Sequence, residues 1–477
     1  MDVILINPPW EVEGGGYGVR SGSRWPHTRK DKHLPFPMFL AYTAAVLEKN
    51  GYNVHVIDAV ARGMNFDDVK NEVTKYDPRL IMIETSTPSI NFDVETARIL
   101  KSQKGDFVLA MAGPHATVFA TELLKEHEFI DVIIHGEYEY TMLDLANAIR
   151  EGKAINKVKG ISFRENRRVA QTEKRPFIEN LDELPFPAQH YFRLEDYSQI
   201  ETRKSIRILS SRGCPFHCVY CLWPDVMYGH KFRGRSAKNV VDEIEYVIEK
   251  YDVQEIDFDD DTFTLSRKRV IDICNEINNR GLKIRWRCMG RVDTVDREMM
   301  QTMKNAGCYQ ICFGVESGVQ KILDNAKKNI TIEQIKKAFG DTKEIGLETY
   351  GTFTFGLPGE TQKTIEETIK FAKELDPDIV QFSIVTPYPG TQYYDMLNEK
   401  GFIKTNDWSR YDGTCKAVFQ NNNICPDDLE KAVHKAWVTF YFRPTYILKR
   451  IIKIRSMGGL KRLLKGGRSI FIRHVLG

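Results

Sequence analysis

The segment Ile206-Arg-Ile-Leu-Ser-Ser-Arg-Gly-Cys214-Pro-Phe-His-Cys218-Val-Tyr-Cys221 runs from a short apolar strand into three cysteines spaced C-x3-C-x2-C. A loop at the carboxyl end of a strand is where barrel chemistry is placed. Three such thiolates can hold three irons of a four-iron cluster. The other cysteines supply no obvious fourth ligand. Cys274 falls mid-helix, Cys288, Cys308 and Cys312 in or beside strands, and Cys415 and Cys425 far downstream. One iron would then stay open to an external ligand. Structural zinc or buried thiols is the competing reading. A zinc site, however, pairs two such units or adds distant histidines, and no matching second half follows.

Downstream of the cysteines, strand and helix alternate to about residue 400. Strands are expected near 206–210, 255–259, 284–288, 309–315, 349–355 and 379–385, with helices near 237–250, 267–279, 296–306, 331–344 and 363–374. Six repeats predict a partial (β/α)6 barrel, because closure takes eight. Upstream, residues 1–150 alternate likewise, with strands near 3–7, 54–58, 80–84, 107–112 and 132–135. That is the signature of a doubly wound, Rossmann-like parallel sheet. Ligands of such sheets bind beyond the carboxyl ends of the strands, where Pro8, Asp58, Ser86 and Gly113 fall. Residues 151–203 read as a linker with one hairpin, 204–400 as the barrel and 401–477 as a basic helical region. The expected class is α/β throughout the first two units.

The 477 residues are 42% hydrophobic, 28% charged and 11% aromatic, which excludes a disordered or fibrous chain. There is no run of 18 apolar residues, so no segment is expected to span a bilayer. The N-terminus lacks the layout of a signal peptide, which predicts a reducing cytoplasm for the nine cysteines. The formal charge of +3 conceals an asymmetry. No Asp or Glu follows Glu430, whereas twelve Lys and Arg do, leaving −9 on the first 430 residues (+3 less +12).

Over roughly residues 1–400 the sequence resembles the radical S-adenosylmethionine (SAM) superfamily, and within it the branch with a cobalamin-binding domain. The resemblance implies a 4Fe-4S cluster on Cys214, Cys218 and Cys221, with SAM chelating the open iron. Cleavage of SAM to a 5′-deoxyadenosyl radical is implied, as is an electron donor such as ferredoxin or flavodoxin. The SAM contacts it implies are Tyr220 near the adenine, Asp260 and Asp261 at the amino group, and Arg291 at the carboxylate. Glu316 and Ser317 match the ribose pair, and Gly356 and Pro358 the glycine-containing fifth strand. Plainer readings stand beside these: a helix cap for one aspartate, a strand bulge at the glycine, and an ordinary salt bridge for Arg291.

Cobalamin-binding sheets of this kind carry D-x-H-x-x-G, then S-x-L, then G-G. Here Asp58-Ala-Val60-Ala-Arg-Gly63 keeps the aspartate and the glycine but has Val60 at the histidine position. Valine has no lone pair for cobalt. Ser86-Thr-Pro88 and Ala112-Gly113 stand for the other two motifs, and Pro8, His115, Gly136 and Glu137 look like loops of the same domain. The implied cofactor is cobalamin with its lower face open, water-bound or ligated from elsewhere. A degenerate domain that only scaffolds substrate is the alternative.

The strings Thr85–Ser89, Cys221–Pro224, Gly229–Ser236, Asp259–Thr264 and Pro387–Thr391 resemble hopanoid-biosynthesis-associated and other lipid-modifying radical SAM proteins. The implied activity modifies an unactivated carbon of a lipid or isoprenoid-type substrate. Cobalamin-dependent methylation, or carbon–carbon bond formation or rearrangement, would follow, with Trp223, His230 and Arg233 at the substrate. The alternatives are a methyltransferase of a soluble peptide or small molecule, and an iron–sulfur or corrinoid sensor. Trp223 as a packing residue and Arg233 as a solvated one are the plainer readings. The methylthiolating branch fits less well, because residues 1–200 contain no cysteine. Independently, Tyr446–Arg455 mixes Ile and Leu with Lys and Arg, the pattern of an interfacial helix on anionic lipid. Packing on the acidic body and binding of nucleic acid are its rivals; isoleucines would be wasted on phosphates, so no nucleic-acid partner is expected. The chain is thus expected in the cytoplasm, peripheral at the inner face of the membrane.

Overall fold

The computed structural model describes the chain except for residues 13–14, 21–25, 31–33, 104, 167, 198, 201–202, 414–415, 453–466 and 468–477. Two seven-stranded sheets organise it. The first holds β1 (Asp2–Asn7), β2 (Asn53–Asp58), β3 (Pro78–Glu84), β4 (Val108–Ala112), β5 (Val132–Ile134), β6 (Ile161–Glu165) and β7 (Arg168–Gln171), in the order β2-β1-β3-β4-β5-β6-β7. The five strands from β1 to β5 are parallel to one another. Helices cover both faces, so β1 reads as an unbroken apolar run: Val3 and Leu5 enter one core, Ile4 and Ile6 the other. The order reverses between β1 and β3, which makes their carboxyl ends the switch point for a ligand.

The hairpin assigned to the linker belongs to this sheet. β6 and β7 add antiparallel beyond β5, because Ile161 and Phe163 alternate inward onto the core of the sheet. The turn between them places Asn166 in the left-handed region at φ 49.

The second sheet runs β8 (Arg203–Ile208), β9 (Glu255–Phe258), β10 (Arg285–Gly290), β11 (Cys308–Glu316), β12 (Glu348–Phe355) and β13 (Ile379–Ile384), all parallel and in sequence order. Gln199–Ile200 pairs antiparallel with β8. Ile256 and Phe258, Trp286 and Cys288, Phe353 and Phe355 are buried in the core shared with the surrounding helices. The alternate positions are polar and only half-buried. Arg287 donates to Asp257 at 2.7 Å, Arg207 to Asp259 at 3.1 Å, and Tyr350 to Gln381 at 2.7 Å. A closed barrel fills that space with branched apolar side chains; this one lines it with hydrogen-bonding groups.

A helix stops the barrel at six parallel strands. Helix Pro426–Tyr441 lies along β13, whose outer backbone groups would otherwise form an open edge. The Tyr441 hydroxyl accepts from Val380 N at 2.9 Å and donates to Val380 O at 2.7 Å, and Trp437 Nε1 donates to Phe382 O at 3.0 Å. The next helix, Pro444–Ile452, is held at the amino-terminal end of β13, the end away from the cysteines. Tyr446 donates to Asp378 O at 2.9 Å and Lys449 pairs with Asp376 at 2.5 Å. Phe442, Ile447, Leu448, Ile451 and Ile452 are the exposed large hydrophobic side chains among the described residues. Residues 453–455 of the basic stretch, and the apolar positions 460–464 and 470–472, lie outside the described residues. Among those described, no helix is long and apolar enough to cross a membrane.

Candidate active site

The cysteine loop is an excursion closed at its neck. Beyond β8, Ser211–Arg212 pairs antiparallel with Arg233–Gly234. Gly213 sits at φ 84, and a Cβ there would lie 2.2 Å from Lys231 O, so only glycine admits the chain to the loop. Cys214, Cys218 and Cys221 are half-buried and not disulfide-bonded. His230 Nδ1 lies 3.1 Å from both Cys214 O and Phe216 O, and Nε2 lies 2.9 Å from Asp225. It therefore pins the loop instead of facing a substrate. Val219 is clamped on both sides: its N–H donates to Ala326 O at 3.1 Å and its carbonyl accepts from Tyr393 N at 2.8 Å. Among the described residues no three His, Cys, Asp or Glu side chains are grouped to hold one metal ion. Cys218 and Cys221 end one turn, Cys221 N donating to Cys218 O at 3.1 Å, with Cys214 earlier on the same loop; three thiols so spaced suit a cluster that takes one thiolate per iron.

The residues matched to SAM divide into two groups. Tyr220, Asp261 and Glu316 gather at the cysteines. Burial pushes the Tyr220 phenol well up, with Glu316, Cys218 and Cys221 adding to it. Asp261 accepts from Gly213 N at 2.9 Å. Glu316 ends β11 beyond a register shift, at φ 68; its carboxylate accepts from Lys328 Nζ at 3.0 Å and Thr354 Oγ1 at 2.8 Å. Lys328 and Thr354 were not anticipated, and no spacing marks the lysine.

The second group is turned to other work. Asp260 is fully buried and accepts from Ser210 N at 2.7 Å, Ser210 Oγ at 2.6 Å and Ser211 Oγ at 2.5 Å. It fastens the end of β8 and has little left for an ammonium. The helix beyond is capped by Ser266, not by an aspartate. Arg291 makes the plainer salt bridge, bidentate to Asp293 at 3.0 Å, while its guanidinium lies 3.5 Å over the ring of Phe216. Ser317 faces Thr368 at 3.1 Å. Gly356, at φ 88, donates to the Glu360 carboxylate, and its Cβ would meet the Phe419 ring at 2.8 Å. Pro358 O accepts from Asn325.

In the first sheet, Pro8, Asp58 and Ser86 converge on the switch point. Arg20, from the ribbon Tyr17–Val19/His27–Arg29, was not foreseen there. It donates to Pro8 O at 2.6 Å, Ser89 Oγ at 2.8 Å, Asp93 at 2.9 Å and Asn7 at 3.1 Å. Asp58 accepts from Asn7 at 2.8 Å and Tyr197 at 2.9 Å, and caps the short helix Ala59–Arg62 through Ala61 N. Gly63 ends that helix at φ 64. The aspartate and glycine of the supposed cobalt motif are thus helix caps, and Val60 lines a small cleft with Asn7, Arg20 and Asp58.

The neighbouring loops form a rim. Gly113, at φ 120, approaches Thr85 so closely that a Cβ would lie 2.3 Å from its carbonyl oxygen. His115 is buried between Phe119 and Trp408, at 4.7 and 5.3 Å, and its Nδ1 has no hydrogen-bond partner; burial pulls its pKa down to about 3. Gly136 abuts Met227 of the π-helical turn Trp223–Tyr228 that follows the cysteines. A rim of glycine backbone with one unpartnered imidazole nitrogen fits a large ring cofactor. Glu137 does not join it: it binds Arg233 at 2.9 Å and Arg212 at 3.2 Å. Arg233 is accordingly engaged away from any substrate, and Trp223 packs on Phe39 and Tyr228 at 5.2 and 5.5 Å.

Comparison with known proteins agrees with this layout. Residues 208–372 match the radical SAM superfamily and residues 29–146 the B12 binding domain. An uncharacterized methyltransferase of Pyrococcus horikoshii is 35% identical over 431 residues, spanning 90% of this chain and 93% of its own. The anaerobic magnesium-protoporphyrin IX monomethyl ester cyclase of Rubrivivax gelatinosus is 30% identical over 98% of this chain and 83% of its own. Among solved structures, the radical SAM methyltransferase TsrM of Kitasatospora setae, with cobalamin and a [4Fe-4S] cluster bound, superposes with a TM-score of 0.71 at 19% identity, over 93% of this chain and 89% of its own. OxsB with aqua-cobalamin gives 0.76 at 18% identity, over 100% and 72%. The chain is a radical SAM enzyme of the cobalamin-dependent methyltransferase family, with a B12-binding domain ahead of the barrel and a 4Fe-4S cluster, SAM and cobalamin as its cofactors.

Proposed function

We propose that this chain methylates an unactivated carbon of a lipid or isoprenoid-type substrate, or joins or rearranges carbon–carbon bonds in it. The carrying observation for the chemistry is the loop of three cysteines, none in a disulfide, at the carboxyl end of β8, tied through Arg212 and Arg233 to the B12-binding domain. The cluster with SAM supplies a carbon-centred radical, and cobalamin supplies a methyl carrier. Cys214, Cys218 and Cys221 hold the cluster, and Glu316, Tyr220 and Asp261 orient SAM beside it. His115, Gly113 and Gly136 bound the corrinoid, and the N-terminal domain excludes water from the barrel mouth. The reductant is a low-potential donor of the ferredoxin or flavodoxin class.

The lipid class is supported by helix Pro444–Ile452, whose exposed isoleucines and leucine accompany Lys449 and Arg450. Such a face suits the surface of an anionic membrane. The polar inner wall of the barrel favours a second reading, methylation of a small polar molecule; a relative of this kind is the cytidylyl-2-hydroxyethylphosphonate methyltransferase of Streptomyces wedmorensis, 24% identical over 77% of this chain and 79% of its own. Co-sedimentation of the full chain with vesicles of equal phosphatidylglycerol and phosphatidylcholine separates the two. The lipid reading expects binding that weakens in high salt and in Ile451→Glu. A chain that stays in the supernatant leaves the polar small molecule.

A further inference from the structure

Lys328 is an unusual residue to find inside this barrel. It follows the short helix Gln320–Asn325, and its neighbours Lys327 and Asn329 both take left-handed backbone angles, φ 52 and 55. Such angles are uncommon for residues other than glycine. Together they turn the Lys328 side chain inward, where it is 8% exposed. Gly314 makes room for it: a Cβ on that glycine would sit 2.8 Å from Nζ. The ammonium bonds Glu316 at 3.0 Å, and burial keeps the pair from water. An ion pair so placed costs desolvation that its mutual attraction only partly returns, so its presence asks for a purpose.

The loop carrying Lys328 is fastened to the cysteine loop. Ala326 O, two residues before the lysine, accepts from Val219 N, which lies between Cys218 and Tyr220, at 3.1 Å. Lys328 O accepts from Arg291 at 2.9 Å, and Arg291 in turn covers Phe216 between the first two cysteines. Burial works against the Lys328 charge, and Glu316 and then Cys218 favour it. A buried cation is thus carried on a loop fastened to the cysteine loop, with the Glu316 carboxylate bound to it.

We propose that Lys328, balanced by Glu316, sets the reduction potential of the cluster. The inference rests on the assignment of the 4Fe-4S cluster to the three cysteines. Reduction transfers one electron from a donor of the ferredoxin or flavodoxin class to the cluster and adds one negative charge there. A buried cation stabilises that added charge and raises the potential, while the carboxylate opposes it; net charge and hydrogen bonding near the sulfurs are the protein's means of tuning such clusters. Lys328 is a positioning residue in this sense, acting on the cluster through its charge.

The test is a redox titration of the reconstituted full chain without SAM, followed by electron paramagnetic resonance, with iron and sulfide measured per chain. Lys328→Met is expected to lower the one-electron reduction constant at least tenfold, about 59 mV, because it removes the cation and leaves Glu316 uncompensated. Lys328→Arg is expected to stay near the unaltered chain, and Glu316→Gln to shift upward. A fully loaded Lys328→Met protein at the unaltered potential would overturn the proposal, whatever its affinity for SAM. If Lys328→Met fails to load iron, Glu316→Gln decides, and an unchanged or lower potential there overturns it. Failure of the unaltered chain to assemble a cluster would instead defeat the cluster assignment.

Discussion

Glu137 and Arg233 are bonded to each other at 2.9 Å, both side chains at most 4% exposed, across the seam between the B12-binding domain and the neck of the cysteine loop. The same carboxylate takes Arg212, which faces Arg233 across the neck ribbon, and accepts from Ile178 N at 3.0 Å. One side chain from the carboxyl end of β5 therefore closes the loop that carries the cluster and holds the two domains in register.

Removing that carboxylate leaves Arg233 buried without its counter-charge, while Arg212 keeps Glu139 at 2.6 Å. Breaking a buried pair from one side costs about 3–5 kcal/mol. Glu137→Gln is expected to lower unfolding stability by that order and to loosen the neck, seen as faster proteolysis within residues 211–234. Stability equal to that of the unaltered chain would refute the clamp.

His230 joins Cys214 O, Phe216 O and Asp225. Hydrogen bonds of this kind contribute about 1 kcal/mol each, so His230→Ala is expected to shed iron several-fold faster under air while leaving the apparent affinity for substrate unchanged. A rise in KM with normal cluster lifetime would return His230 to the substrate site.

His115 is held neutral, its folded pKa about 3 against an ordinary value near 6.5. The unfolded chain takes up a proton there below pH 6.5 and the folded chain does not, so stability falls as the pH drops from 6.5 toward 3. Between pH 7 and pH 5 the loss from this group is about 2 kcal/mol. His115→Phe is expected to remove that part of the pH dependence of urea unfolding in the cofactor-free chain; an unaltered slope would show that the imidazole titrates normally.

The six barrel strands, five of their helices and the placing of the three-cysteine loop beyond the first strand were legible because each carries its signal locally, as alternation, periodicity or spacing. What stayed hidden depends on distant partners. Glu137 lies 75 residues from Arg212 and 96 from Arg233, and nothing in the sequence around it announces either. Asp260 reads as a ligand-binding carboxylate until Ser210 and Ser211, fifty residues earlier, are seen to fill it. The aspartate and glycine at 58 and 63 matched a motif in letters while serving as two ends of one helical turn. The hairpin at 161–171 looked coreless because its core is the sheet it completes.

The central claim is that the three cysteines hold a cluster that cleaves SAM beside a bound corrinoid. The direct measurement is 5′-deoxyadenosine formed when the anaerobically reconstituted chain, produced with cobalamin supplied, receives SAM and dithionite. The account predicts product from the unaltered chain and none from Cys218→Ala. A fully loaded cluster that yields no 5′-deoxyadenosine, or equal yield from Cys218→Ala, would contradict it.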